Sequence, residues 1–439
     1  MTMLSNVLAL VPALLLIGAE SLAATYHVAP DGSDSNAGTA GSPWATIQHA
    51  VDTMSPGDAI VVKDGTYKGF RIRRSGTAEA GITLRAENRW GAVVKDLGEK
   101  CRSKSVIEIN ADDDSIERIG HWTIDGFDVD GTGLRDCMLP VVTTHITIKN
   151  CKLHDSDWPC IMSGHGDYMV IEGNTTYNSA RSHGIYMANS ADHGVIRANT
   201  SYHNGKCGIH MNGDLSCGGD GVMTDWIVER NIVFDNGLYM GGAAINCDGV
   251  SDSIFRNNLL YGNHRTGMTF YAIDASEGSS RNLIANNTIV MADDASWWPV
   301  IMGRSKEHPS PTANRFFNNV ILTTNLAFGS IAVYAGDVKG FESDYNVVTG
   351  RFSVDDGESV IDIAKWREFG YGAHSITARP ENIFVDPAGG DYHLRPGSPA
   401  IDAGITLVEV TDDLAGNPRP QGGACEIGCY EVPNGPARP

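Results

Sequence analysis

The sequence predicts an all-β fold: a solenoid of stacked parallel coils, plugged by an N-terminal helix and finished by a C-terminal cap. Three observations carry this. HGIYMANS (183–190) and CGIHMNGD (207–214) repeat 24 residues apart, and GAAINCD (242–248) continues the series. Superposing Gly184 on Gly208 aligns Ile185 with Ile209, Tyr186 with His210, Met187 with Met211 and Ser190 with Asp214. Apolar residues alternate with polar ones in each copy, the signature of a strand with one buried face. Asn also recurs at 150, 174, 199, 231, 258, 287 and 319, between two short apolar runs each time. At the corner of a stacked coil, its side-chain amide satisfies backbone groups of the turns above and below. Finally, the repeating segments are short strands without helical periodicity, which points to β-coils and not to a helical array.

Taken in order, residues 1–23 read as a signal peptide: the apolar run LALVPALLLIGA carries a single charge nearby, Glu20, and ends at Ser21-Leu22-Ala23. The run is short for a membrane span, so the mature chain is expected to be secreted or periplasmic. The solenoid is assigned to 24–385. It opens with a strand and a helix at about 44–54, whose Ile47, Ala50 and Val51 share one face and plug the open end. Strands follow at AIVVKDG, GITLRAE and VIEINAD, and the periodic coils run from about residue 115. The longer Asn intervals, 199 to 231 and 287 to 319, place loops at LSCGGDGVM and MGRSKEHPSPT, where binding specificity is expected. Residues 386–439, rich in turn residues, are assigned to the cap.

The net charge of −20 excludes nucleic acid and anionic membranes as partners, both of which need a basic footprint. A polyanionic substrate then requires a local basic cluster or a bound cation. No linker divides the chain, and a monomer is expected. Nine Cys in an exported chain permit disulfides, with Cys207–Cys217 and Cys425–Cys429 favoured by proximity and Cys101–Cys137 as a looser pairing. Cys160 and Cys247 fall on inward positions as buried thiols.

The opening YHVAPDGSDSNAGTAGSPWATIQHAVDTMSPGDAIVVKDGTY, the Asn-punctuated coils and the closing DYHLRPGSPAIDAG resemble secreted right-handed parallel β-helix proteins of the pectate-lyase type. The two ends are especially similar to those of family 9 polysaccharide lyases. The resemblance implies a right-handed parallel β-helix. The same frame carries pectate and alginate lyases, uronan C5-epimerases, glycoside hydrolases and proteins without known catalysis. Family 9 lyases use a lysine base beside a calcium site of clustered aspartates, but no Lys stands in the aligned columns of 183–274, so those residues are not carried across. Family 6 lyases pair a Lys with an Arg, for which Lys306 with Arg265 or Arg304 match in position only.

Extending the register to PCIMSGH (159–165), GMTFYAID (267–274) and PVIMGRS (299–305) gives three outward columns: Ile161, Tyr186, His210, Ala244, Thr269, Ile301; Ser163, Ala188, Asn212, Asn246, Tyr271, Gly303; and His165, Ser190, Asp214, Asp248, Ile273, Ser305. Neighbouring strands lie about 4.8 Å apart, so Tyr186, His210, Asn212, Asp214, Asn246, Asp248 and Tyr271 form one patch. Such residues are as often plain solvated sheet surface, and Asn212 and Asn246 suit a structural ladder equally well. β-Elimination of a uronan needs a base for the C5 proton, a group that neutralises the adjacent carboxylate, and a donor to the departing O4. His210 suits the base, Tyr186 or Tyr271 the donor, and Asn212 and Asn246 the carboxylate site. Asp214, Asp248 and Asp220 are candidate ligands for Ca²⁺. His183, Arg265, Arg304 and Lys306 would bind the anionic polysaccharide, with Trp297 and Trp298 stacking on sugars or anchoring the core. The alternatives are a glycoside hydrolase using Asp214 and Asp248 about 5–6 Å apart, a uronan C5-epimerase, and a non-catalytic glycan-binding surface protein.

Overall fold

The computed structural model describes residues 23–111, 118–303 and 309–432. The segment read as a signal peptide therefore lies outside the described residues, Ala23 excepted. Parallel strands wind into coils of three walls. One coil runs Ile185–Ala188, Val195–Arg197, Thr200–Tyr202, and the next runs Ile209–Asn212, Ile227–Glu229, Ile232–Phe234. The first two walls join into a 23-stranded sheet, because the strand Met138–Lys149 spans both, and the third wall is a 12-stranded sheet. Inward positions fill one continuous core, with Ile185, Met187, Ile209, Met211, Ile245, Cys247, Met268 and Phe270 all fully buried. This is the right-handed parallel β-helix that the sequence predicts.

The corner between the second and third walls is held by stacked amides. Asn174, Asn199, Asn231, Asn258, Asn287, Asn319 and Asn346 each accept, through Oδ1, from the backbone N–H one coil back, and their Nδ2 atoms donate to carbonyls of the second wall. Asn150 does not belong to this ladder. Cys151 takes the slot, and Asn150 sits one residue earlier at φ 54°, where its amide donates to Asp125. A second, shorter ladder of Asn204, Asn236 and Asn263 holds the turn from the third wall back to the first.

The plugging helix spans Ile47–Thr53, shorter at both ends than the sequence suggests, because Thr46 adopts an extended backbone and caps it by accepting from His49 N. Ile47, Ala50 and Val51 are buried as expected. The far end is covered by the helix Ile363–Glu368, whose Trp366 stacks on Phe352 at 4.5 Å. The chain beyond Pro380 lies along the side of the solenoid. There Ile383, Phe384, Leu394 and Ile427 cover Leu259, Val290, Val320, Leu322 and Val347, outward residues of the third wall that need an apolar cover.

All nine cysteines are free. The Cys207–Cys217 pairing fails because Cys207 is buried, where its sulfur accepts from Ala243 N, whereas Cys217 is exposed in a loop and donates to Asp214. Cys425–Cys429 and Cys101–Cys137 are likewise unpaired. Cys160 and Cys247 are buried thiols. Among the described residues, no helix is long and apolar enough to cross a membrane.

Candidate functional site

The candidate wall is built on the strands Ile161–Asp167, Ile185–Ala188, Ile209–Asn212, Ala243–Asp248, Thr266–Tyr271 and Val300–Met302. Tyr186 pairs with His210 and Ala188 with Asn212, as the repeat predicts. The third copy is displaced by two residues: His210 stands beside Asn246, and Asn212 beside Asp248. A two-residue slip keeps every side chain on its own face. The outward columns are therefore Met162, Tyr186, His210, Asn246, Thr269, Ile301 and Gly164, Ala188, Asn212, Asp248, Tyr271. Ile161 and Ser163 are corrected to inward positions, a one-residue slip that reverses faces, and Ala244 is buried outside the column.

The shift places Asn246 at the centre. Its Nδ2 lies 2.6 Å from His210 Nδ1 and donates to Tyr271 Oη at 2.6 Å, while its Oδ1 accepts from Thr269 Oγ1. Asn246 therefore spends its amide inside the wall and does not offer it to a substrate carboxylate. It holds an imidazole and a phenol in fixed positions. Asn212 is similarly engaged: Nδ2 donates to Tyr186 Oη and Asp274 Oδ2, each at 3.3 Å, and Oδ1 accepts from Asp214 N at 3.1 Å.

The rings of His183 and His210 stack at 4.5 Å, and Tyr186 leans on both, at 5.1 and 4.7 Å. Burial, reinforced by the Lys206 ammonium, pushes the His210 pKa down to about 3, so the imidazole is neutral at pH 7. His183 is held well below its ordinary value by burial, then by His210 and Lys206, and its Nδ1 accepts from Cys207 N. A neutral, nearly enclosed His183 does not bind an anion as a cation, contrary to expectation. Burial raises both tyrosines, so Tyr186 and Tyr271 keep their protons and are available as donors.

The acids expected to bind Ca²⁺ do not converge. Asp248 is 2% exposed and accepts from the N–H groups of Ile273, Asp274 and Ala275 at 2.8, 3.1 and 3.4 Å, which fixes the turn behind the wall. Asp214 caps the turn Leu215–Cys217 by accepting from Ser216 and Cys217, and Asp220 accepts from Val222 N in an exposed loop. No three of these carboxylates bring ligand oxygens within 4.8 Å of one another, so among the described residues they do not form a cation site. Among the described residues, the one group of such ligand atoms within 4.8 Å is Asp130, His154 and Asp155, on the third wall and its turn. There both nitrogens of His154 already face the carboxylates of Asp128 and Asp155.

The two rims of the wall differ in charge. Lys206 and Arg265 occupy turns leading into the wall and form no ion pair among the described residues. Asp214, Asp220 and Asp274 lie on the opposite rim. Arg304 and Lys306 fall outside the described residues. Trp298 is fully buried and cannot stack on a sugar, and Trp297, 36% exposed, leans on Phe328. Lys206, Thr269 and Asp274 are site residues that column matching left out of the patch. The signal for Lys206 is its place immediately before a wall repeat.

Comparison with known proteins bears on the fold. Residues 26–162 match the model described as Pel9A-like, right handed beta helix region, and residues 141–289 and 181–353 match that described as right handed beta helix region. Pectate lyase PEL9 of Emericella nidulans is 47% identical over 68 residues, which is 15% of this chain but only 17% of that protein's length. Pectate lyase L of Dickeya dadantii is 22% identical over 313 residues, covering 69% of this chain and 72% of that one. The crystal structure of pectate lyase Pel9A superposes with a TM-score of 0.61 at 15% identity, covering 94% of this chain and 97% of the other. At that identity the likeness is one of fold.

Proposed function

The chain is a pectate-lyase-like right-handed β-helix protein, and from that premise we propose that it cleaves a uronic-acid-containing polysaccharide by β-elimination at the wall centred on His210. The observation that supports this most directly is the row His210 Nδ1, Asn246 amide, Tyr271 Oη, in which one fixed amide aligns a neutral imidazole with a protonated phenol. His210 takes the C5 proton, the C4–O4 bond breaks as the C4–C5 double bond forms, and Tyr271 or Tyr186 returns a proton to O4. Lys206 and Arg265, on one rim, take the neutralising role first assigned to the asparagines.

The state of His210 follows from Asn246. With the amide nitrogen toward Nδ1, the imidazole proton sits on Nε2 and the ring donates. Accepting the C5 proton at Nε2 needs the other tautomer, which a half-turn of the amide supplies while the Thr269 and Tyr271 hydroxyls reverse. A substrate carboxylate beside the ring brings the negative charge that the empty wall lacks, and it raises the proton affinity of His210 when a base is required.

Purified protein incubated with polygalacturonate and alginate, read for absorbance of the conjugated unsaturated uronate, tests the proposal. Release of saturated ends only, or full lyase activity in His210→Ala, overturns it.

A further inference from the structure

The turns leading from the third wall into the candidate wall stack directly on one another. Asp157 N donates to Leu134 O at 3.0 Å, Ala180 N to Ser156 O at 2.9 Å, Gly205 N to Ser179 O at 2.7 Å and Gly237 N to Asn204 O at 3.1 Å. Their outer surface is hollowed into two cavities, of about 700 and 220 Å³, that share Asn178. Trp158, 45% exposed, borders the larger, and Tyr239, 83% exposed, borders the smaller. Folding leaves these two rings in water on the same edge. Neither belongs to the site described above.

The charges around them are unevenly satisfied. Asp157 pairs with Arg181, Asp155 with His154, and Asp235 with both His203 and His264. The cations are freer. Lys104 forms no ion pair among the described residues, and Arg135 reaches only the buried Asp136, at 3.5 Å, with its own side chain 47% exposed. The Arg135 guanidinium stands 5.8 Å from the Trp158 ring centre. A chain of net charge −20 thus presents here a half-exposed indole with one accessible cation over one side of its ring and a second lining the same cavity.

We propose that this edge is an accessory binding surface for an acidic polysaccharide, with a uronosyl ring on Trp158, its carboxylate toward Arg135 and Lys104, and the chain following the stacked turns to Tyr239. The apolar C–H face of a pyranose suits an indole, a carboxylate suits a guanidinium, and the polar groups of Asn178 and His203 meet hydroxyls. Three coil steps separate Trp158 from Tyr239, about 14 Å at roughly 4.8 Å per step, enough to engage more than one sugar at once. Such a surface tethers polymer beside the candidate wall and raises its local concentration. The choice of an acidic glycan rests on the proposed lyase reading.

Native electrophoresis through gels containing polygalacturonate or alginate tests the surface without needing catalysis, when run in a His210→Gln background so that the matrix stays intact. Retardation by at least one polymer is expected. Trp158→Ala is expected to weaken it about tenfold, Arg135→Gln severalfold with loss of salt sensitivity, and Trp158→Phe to restore most of it. With His210 intact, Trp158→Ala should raise KM on polymer while leaving kcat unchanged. Absence of retardation by either polymer, or equal retardation of the parent, Trp158→Ala and Arg135→Gln, overturns the inference. The two readings fail separately: Trp158-dependent retardation without cleavage sinks the lyase and keeps the surface, and cleavage with Trp158-independent retardation does the reverse.

Discussion

Replacing Asn246 with Asp preserves shape and changes only what the group offers. The amide nitrogen 2.6 Å from His210 Nδ1 becomes an oxygen that solely accepts, so the imidazole must carry its proton on Nδ1 and leave Nε2 bare. In the parent, burial holds the His210 pKa at about 3. An opposite charge in contact raises such a group by roughly 1–3 units, which moves His210 to about 4–6. The variant also loses the donation to Tyr271 Oη and buries a carboxylate, at a stability cost of roughly 1–3 kcal/mol. The expected outcome is an acid limb of kcat displaced upward by about one to three pH units, with activity above pH 7 kept within about tenfold. Asn246→Ala, which leaves the imidazole unheld, should lose far more. Rates of unsaturated-product formation from pH 4 to 9, with ¹⁵N shifts of the imidazole, read both effects. An unmoved acid limb in Asn246→Asp, or parental activity in Asn246→Ala, would show that His210 is not the base.

Other consequences are more local. Asn231→Ala removes Nδ2 bonds to Ile196 O and Asn258 Oδ1 and an Oδ1 acceptor for Asn199, leaving two or three buried groups unpaired. At roughly 1–3 kcal/mol each, a loss of about 2–9 kcal/mol is expected in denaturant titration, and under 1 kcal/mol would refute the ladder's role. Two histidines should give opposite pH dependences, the buried His210 and the half-buried His264. His210, depressed, refuses a proton that the unfolded chain accepts, so its contribution falls as pH drops from about 6.5 toward 3, and His210→Gln should flatten that limb. His264 is desolvated, yet its bonds to Asp235 and Asp294 raise it overall. Its stabilisation is full below about 6.5 and lost as pH rises through the raised value, so His264→Gln should cost more at pH 5 than at pH 8. Because Asp248 holds three backbone amides, a chelator should leave the rate unchanged, and Asp248→Asn should lower thermal stability first. Loss of activity on chelation, restored by Ca²⁺, would contradict this.

Most of the fold was legible because the solenoid repeats its own constraints. Inward residues such as Ile185, Ile209 and Ile245 must be apolar in every coil, and a buried corner must satisfy its amides in every coil, so the Asn positions announce themselves. Register was less legible. The turn before Ala243 is longer than its neighbours, and sequence spacing does not show that the extra residues displace the strand by two. That slip separates Asp214 from Asp248 and brings Asn246 to His210. Nor does alternation reveal which outward groups are already engaged: Asp248 and Asn212 look free in the sequence, yet they bind backbone and side chains of a turn that arrives about 25 and 62 residues later. The stacked turns carrying Trp158 and Tyr239 vary between six and eight residues from coil to coil, so the two rings share no repeat position in the sequence.

The same register weighs the lyase against the hydrolase. Retaining or inverting hydrolysis needs two carboxyl groups that face the substrate with oxygens free to protonate or attack. Asp214 and Asp248 were the expected pair, but Asp248 stands beside Asn212, its oxygens are spent on three N–H groups, and Asp214 is tied to Ser216 and Cys217. What remains facing outward at the centre is neutral: an imidazole with a single proton and two protonated phenols. A neutral wall with Lys206 and Arg265 on one rim is arranged to receive negative charge from its ligand. In the proposed reading these two cations give a bound uronate local positive charge within a chain of −20, set against Asp214, Asp248 and Asp274, whose charges still reach Tyr186 and Tyr271.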